Sequence, residues 1–354
     1  MRIIPYKRGS APGDLPHAKQ ADLDAMLAAY ADLPKQLVGR ASLLEIDNWY
    51  TGMDAGEHAV RLFDAREAIA FAALSKRRLF RGHFDYCNTH AYILVAQRYL
   101  PGQAGRFMFY TRRRDTGTSH MWATDMFAHQ RPSHVPNNSK CQLDRPLLAA
   151  LLKLDDRSPL REAIREFNCA NTDSDDVPEH VEVVMVKSAF EWLFGINTSA
   201  QEFVEALVSR LSPVLGSGIS EGPMSERWRK RWEKAQRPIE AWARDFCDVR
   251  GAAAHGERFS GRFVWRARSH LAFASILFPL AMKKQLADDS LLQLDDSDRE
   301  QLLSVEQLLM TDPFSAEALS AMRVDSHPWS EILDQAYFNA RANRMFRKVE
   351  SSRE

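Results

Sequence analysis

Arg250 and His255 are the pair of residues in this chain whose types and spacing suit chemistry on a phosphate group. The planar guanidinium of an arginine can contact two phosphate oxygens, and an imidazole titrates near neutral pH, so it can accept or donate a proton. Asp248 precedes His255 by seven residues, which places both on nearly the same face of a helix. The carboxylate of Asp248 is therefore predicted to fix the tautomer of the His255 imidazole.

The pair lies at the end of a strongly helical stretch, where the apolar residues recur at alternating steps of four and three. These residues are Trp228, Trp232, Ala235, Ile239, Trp242, Phe246, Val249 and Ala253. Pro238 suits the first position of a helix, so the pattern predicts one helix ending near Gln236 and a second running from Pro238 to His255. Gly256 is predicted to be the left-handed residue that ends the second helix.

On an ideal helix, Arg250 and His255 are separated by roughly 140°, so they cannot share one narrow face. Both can still reach a groove from the helix end. A purely structural interpretation stays open, because an arginine and a histidine near a helix C-terminus also stabilise the helix dipole and cap free carbonyl groups.

The sequence predicts three regions: an α+β N-terminal domain, an all-helical domain and a helical extension. Residues 1–170 contain helices and a small antiparallel sheet, predicted as a meander over residues 91–127. The polar, acidic stretch from Asn171 to Pro178 is interpreted as a domain boundary. Residues 177–287 are predicted to form a four-helix domain, and residues 288–354 a helical C-terminal extension.

Composition predicts a cytoplasmic protein that is not attached to a membrane. The 47 basic and 47 acidic residues balance, so nucleic acid would have to bind a local patch. The four cysteines are scattered without a Cys-x-x-Cys motif, which fits a reducing compartment and predicts no metal site. The N-terminus lacks the apolar core of a signal peptide. Arg266 and Arg268 interrupt the most apolar helix, so it is predicted to be buried in protein.

Phe246, Arg250, His255 and Gly256, with the upstream segment from Ala189 to Leu193, make residues 177–287 resemble the HEPN superfamily, in particular its Apea-like branch. The resemblance implies a helical bundle that forms a homodimer, with the motif residues of two protomers meeting across the interface. It also implies a ribonuclease that needs no metal or cofactor. His255 would then act as general acid or base for attack of the ribose 2′-hydroxyl on the adjacent phosphate, and Arg250 would bind that phosphate.

Basic residues near the motif are candidates for binding the RNA. These candidates are Arg229, Lys230, Arg244 and Arg258. Trp228 and Trp232 interleave with the first two and could stack on bases. The alternative is an amphipathic helix with both tryptophans in the core and a solvated basic face.

The resemblance also implies a biological setting, since bacterial proteins of this architecture often serve as toxins or antiphage effectors. A trigger or antitoxin protein would then be a further partner, and the N-terminal domain would sense the trigger or restrain the nuclease. Family members that cut RNA usually carry a polar residue directly after the arginine, whereas this chain has Gly251. A non-catalytic module that dimerises or binds a nucleotide or RNA therefore remains the alternative.

Overall fold

The computed structural model divides the chain into two compact units, one of residues 1–66 and 90–135 and the other of residues 67–89 and 136–354. The structure describes residues 2–10, 20–28, 30–32, 36–37, 39–45, 55–77, 87–89, 107–112, 118–123, 127–129, 142–174, 176–216, 222, 224–257, 261–312 and 314. The helices predicted over 315–322 and 329–349 lie outside these residues.

Short strands and two helices make up the described part of the first unit. In chain order they are β1 Arg2–Lys7, α1 Gln20–Ala28, β2 Tyr30–Asp32, β3 Gln36–Leu37, β4 Arg40–Glu45, α2 Ala55–Leu74, β5 Phe107–Arg112, β6 Thr118–Ala123 and β7 Phe127–His129. The second half of α2 belongs to the other unit. β1 pairs with β4 and β5 with β6, both antiparallel, while β2 lies between antiparallel β3 and parallel β7.

The predicted meander over residues 91–127 is described only in part. β5 and β6 form a hairpin at the positions of its second and third strands, with Phe107 opposite Ala123 and Arg112 opposite Thr118. Its first strand, predicted over 91–100, lies outside the described residues. The meander as a whole stays a prediction.

Helices build the second unit, and they form a bundle, as predicted. They are α3 Arg145–Leu151, α4 Pro159–Cys169, α5 Glu179–Phe194, α6 Ala200–Leu211, α7 Ser225–Arg231, α8 Pro238–Ala254, α9 Ala267–Asp288 and α10 Asp296–Thr311. The centre of the bundle is aromatic. Trp242 of α8 stacks on Phe246 with ring centroids 5.1 Å apart, and Phe190 of α5 meets Phe278 of α9 edge-on at 5.0 Å.

The predicted domain boundary from Asn171 to Pro178 is wrong, because the helices before it share a core with those after it. Phe71 of α2, Phe167 of α4 and Phe278 of α9 pack together with centroids 4.4 to 5.7 Å apart. The polar stretch is a turn that is tied to the bundle. Its first residue, Asn171, is buried and donates from Nδ2 to the carbonyl of Phe167 at 2.6 Å.

Residues 288–311 are likewise part of the bundle and do not form the predicted extension. The indole Nε1 of Trp265 donates to the carbonyl of Leu309 in α10 at 3.1 Å. The Trp228 indole points to the sulfur of Met310, 3.2 Å away, and Arg237 pairs with Glu306 at 2.8 Å. Within the described residues, no helix is both long and apolar enough to cross a membrane.

Candidate active site

Helix α8 carries the predicted site, and its first turn is fixed by a carboxylate from α10. Pro238 occupies the first helical turn, as predicted. Glu306 accepts from Nε and Nη2 of Arg237 at 3.1 and 2.8 Å, and from the backbone N–H of Ile239 at 3.3 Å. The negative charge of Glu306 also interacts favourably with the positive N-terminal pole of the helix dipole. The N-terminal end of α8 is therefore held against α10.

The other end of α8 closes at Gly256, which takes the left-handed conformation with φ 67°, as predicted. The Glu257 N–H donates to the Ala252 carbonyl at 2.9 Å, and the Gly256 N–H to the Ala253 carbonyl at 3.3 Å. These two bonds form a Schellman motif, which satisfies carbonyls that a helix end otherwise leaves free. His255 is the C-terminal cap residue, so its backbone position is set by this motif.

His255 is exposed, whereas the Arg250 side chain is half-buried. The Nε atom of Arg250 is buried and has no hydrogen-bond partner among the residues that the structure describes. The two side chains project from different sides of the helix, roughly 140° apart around its axis. One end of α8 thus presents an accessible imidazole and a guanidinium that is not consumed by an internal ion pair within the described chain.

Asp248 does not hold His255. Its carboxylate pairs with Nη2 of Arg231 at 2.9 Å, and both side chains are 41% exposed. Seven residues span roughly 10 Å along a helix axis, so a shared face does not bring Asp248 within hydrogen-bonding distance of His255. The predicted role of Asp248 in fixing the imidazole tautomer is therefore wrong, and its contact instead joins α7 to α8.

The predicted RNA-binding residues do not form one group of free cations. Arg244 pairs with Glu240 one turn earlier on α8 at 2.8 Å. The guanidinium of exposed Arg229 lies 5.4 Å from the ring centre of Trp228, while Lys230 is exposed on the same helix. Arg258 lies outside the described residues.

Trp228 of α7 and Trp232, which directly follows α7, both contact the interior of the bundle. This supports the alternative in which the two tryptophans belong to the core and do not stack on bases. Trp228 is only 3% exposed. Trp232 is half-buried and donates from Nε1 to Oδ1 of Asp245 at 3.2 Å. To reach that carboxylate, the chain leaves helical geometry at Trp232 with ψ 59°, so α7 ends at Arg231 and not near Gln236 as predicted.

Asp245 is the residue at this site that the sequence analysis missed. Its side chain is fully buried beneath α8, where it accepts hydrogen bonds from the backbone N–H groups of Val264 and Trp265 at 3.0 to 3.1 Å. The apolar pattern of the sequence predicts that α9 starts near Phe263, but it begins at Ala267, because Arg266 is extended with ψ 160°. A signal was present, since Asp245 follows Trp242 by three and precedes Val249 by four residues, which places an acid on the apolar face.

The flank of α8 that faces α5 carries a buried thiol and a buried ammonium group. Burial raises the pKa of Cys247 to about 11, so this cysteine is a protonated thiol at neutral pH and not a nucleophile. Lys187 is 2% exposed and pairs with Glu191 at 2.5 Å, with Nζ also 4.5 Å from the ring centre of Phe203. This lysine is therefore neutralised within α5.

Among the described residues, no group of three or more histidine, cysteine, aspartate or glutamate side chains could hold a metal ion. We found no family model, no curated protein and no solved structure that matches the chain.

Proposed function

We propose that this chain is a HEPN-type ribonuclease that cuts RNA without a metal ion, using the end of α8. One observation carries the proposal: exposed His255 and half-buried Arg250, which forms no ion pair with the residues that the structure describes, lie near the same end of α8. If the two residues served only to cap the helix, both would be expected to bond internally. The helix end is instead closed by backbone hydrogen bonds at Gly256, which leaves the two side chains available.

The proposed reaction transfers a phosphoryl group within the substrate. His255 accepts the proton of a ribose 2′-hydroxyl as its oxygen attacks the adjacent phosphorus, and the bond from phosphorus to the 5′-oxygen breaks. The 5′-oxygen takes up a proton, and a 2′,3′-cyclic phosphate remains. Arg250 binds the phosphate and stabilises its developing negative charge. DNA lacks the 2′-hydroxyl and is not expected to be cut.

The resemblance extends the proposal to partners and setting. The active form would be a homodimer in the cytoplasm, in which the motifs of two protomers meet. A trigger or antitoxin protein would control it, and the chain would act as a toxin or antiphage effector. Lys230 and Arg229, exposed on α7, remain the best-placed RNA contacts among the predicted residues that the structure describes.

A non-catalytic module that dimerises or binds a nucleotide or RNA is the second candidate. Two observations favour it. The carboxylate of Asp248 is engaged by Arg231 and does not orient the imidazole. The position after Arg250 is a glycine, and among the described residues no atom lies within 4 Å of a Cβ added there, so none of them replaces the polar side chain that cutting members of the family usually carry.

An RNA cleavage assay in EDTA tests the proposal, comparing the wild-type protein with His255→Ala and Arg250→Ala. Cutting by the wild type that leaves 2′,3′-cyclic phosphate ends, and a loss of at least about a hundredfold in either variant, is expected. Arg299→Ala is the matched control, because Arg299 is exposed on α10 and forms only a surface pair with Asp296. This variant should cut like the wild type.

Two results would contradict the ribonuclease. The first is a folded wild-type dimer that cuts no RNA, which would favour the binding module. The second is cleavage that survives in both motif variants, which would place the activity elsewhere in the chain. Gly251→Asn adds a further test, since a Cβ at this position meets no described atom within 4 Å and restoring a polar residue should maintain or raise cleavage.

A further inference from the structure

The carboxylate of Asp245 binds three separate segments that surround the end of α8. It accepts from the indole Nε1 of Trp232, which follows α7, and from the backbone N–H groups of Val264 and Trp265. It also lies 3.1 Å from Nε2 of His270 in α9. Asp245 and His270 are both fully buried. A buried carboxylate with this many donors is a strong, directional anchor, because each bond is made away from water.

The contact between Asp245 and His270 determines which ring nitrogen of His270 carries the hydrogen. Since Asp245 accepts its other hydrogen bonds, Nε2 of His270 carries the hydrogen and donates it to the carboxylate. The His270 ring is enclosed by aromatic rings, with the centroid of Phe246 at 5.5 Å and that of Trp265 at 6.0 Å. The pair therefore fixes the start of α9 against the buried face of the motif helix.

The anchored segment is the return path of the chain after the motif. Nine positions separate His255 from Val264. The path begins at the Schellman motif around Gly256, is bridged by the ion pair between Glu257 and Arg262 at 2.6 Å, and ends on Asp245. The Schellman motif thus holds His255 at the end of α8, and Asp245 holds Val264 and Trp265, which lead into α9, against the same helix.

We propose that Asp245 is a positioning residue, whose buried carboxylate fixes the return path after the motif and thereby holds His255 in register with Arg250. This role rests on the proposed ribonuclease for its catalytic consequence, while its structural part stands by itself. Asp245 does not touch the reacting atoms. It acts by limiting where the imidazole can lie, and small displacements of a catalytic group cost large factors in rate.

Hydrogen exchange measured by mass spectrometry on the full-length protein tests the structural part. In Asp245→Asn, peptides covering residues 252–266 are expected to exchange at least about tenfold faster than in the wild type, because two backbone donors lose their anionic acceptor. The matched control is Asp298→Asn, which removes another buried carboxylate, one that pairs with Lys283 at 2.5 Å. It should leave exchange of these peptides unchanged.

Steady-state kinetics on RNA test the catalytic part well below the unfolding temperature of each variant. Asp245→Asn is expected to lower kcat by about tenfold to a hundredfold with KM within about twofold, since positioning is lost and the binding groups remain. Asp298→Asn should keep the wild-type kcat. If Asp245→Asn does not fold, His270→Phe serves instead, because it keeps an aromatic ring at this position and removes one donor, and the same effects are expected at about threefold to tenfold.

Unchanged exchange at residues 252–266 would overturn the proposal, and so would an equal loss of kcat in both carboxylate variants. A wild-type protein that cuts no RNA would refute the ribonuclease, not the anchor. In that case the exchange measurement by itself decides whether Asp245 holds the return path.

Discussion

One glycine lies within the motif and a second directly follows it, and replacing each with alanine is expected to change stability in opposite directions. Gly251 lies inside α8, whereas Gly256 follows its end with φ 67°. A Cβ added at either position would meet no atom of the described residues within 4 Å, so contacts within this part of the chain do not separate the two substitutions. Only backbone conformation differs between them.

The magnitudes follow from that difference. Alanine inside a helix is more stable than glycine by roughly 0.5–1 kcal/mol, because glycine loses more backbone freedom on folding. An L-residue in the left-handed region costs roughly 1–2 kcal/mol. Gly251→Ala should therefore raise the free energy of unfolding of the helical unit, and Gly256→Ala should lower it. The two variants should differ by about 1.5–3 kcal/mol.

Urea denaturation followed by far-ultraviolet circular dichroism measures this difference, with the slope of free energy against urea unchanged between variants. If Gly256→Ala proved as stable as Gly251→Ala, the left-handed cap would not exist in solution. The position of His255 at a closed helix end would then be wrong, and with it the geometry on which the proposed function rests.

Three further perturbations test the bundle. Lys283→Met removes a cation held at 2.5 Å from Asp144 and near a second buried carboxylate, and should lower the free energy of unfolding in urea by about 3–5 kcal/mol. Burial opposes ionisation of Asp144, but Lys283 outweighs this effect and lowers the pKa of the Asp144 carboxyl. The stability of the wild type should therefore fall as the pH drops below about 4. Lys283→Met should lose this dependence of stability on pH. Burial and neighbouring carboxylates raise the pKa of Glu182 from 4.5 to about 7, so the folded chain keeps a proton that the unfolded chain releases, and stability falls as the pH rises through this range. Glu182→Gln should therefore stabilise the protein at pH 8 by on the order of 1 kcal/mol and change little at pH 4, in urea titrations at both values. Finally, because the pKa of Cys247 is raised to about 11, iodoacetamide at pH 8 should modify exposed Cys169 much faster than Cys247, which peptide mass spectrometry measures. Equal rates of modification at the two cysteines would contradict the burial of Cys247.

The bounds of the motif helix could be predicted because their causes are local. Pro238 and Gly256 act through their own backbone conformations, so the sequence alone indicates where α8 begins and ends. The sequence likewise predicts helices over residues 178–194 and 200–211, close to the bounds of α5 and α6, because each shows its period within its own residues.

The domain boundary could not be predicted, because it depends on contacts between distant residues. The polar stretch after Asn171 has the composition of a linker, and only the packing of Phe167 on Phe278 shows that the chain turns there inside one core. A polar turn and a linker have the same composition, and they differ only in what their flanking helices pack against.

The error over Asp248 shows why a shared helical face is weak evidence for a contact. The helical period shows that two residues share a face, but it does not show that they are close along the helix axis. Asp248 and His255 are separated along the axis by several times the length of a hydrogen bond. The opposite holds for Asp245, whose partners Val264 and His270 lie 19 and 25 residues away and have no periodic relation to it. Its acidic type on an apolar face was the only local signal.

Helix α8 is held at its first turn by Glu306, at its middle by Asp245 and at its end by Gly256. Only the last of these is local, so the helix that carries the candidate site depends on α9 and α10 for its position. Residues 177–287 alone would lack the carboxylate of Glu306, leaving Nε of Arg237 and the buried N–H of Ile239 without this acceptor. The folded unit that carries the candidate site is therefore larger than the segment that resembles the HEPN superfamily, and it includes at least the helices through Thr311.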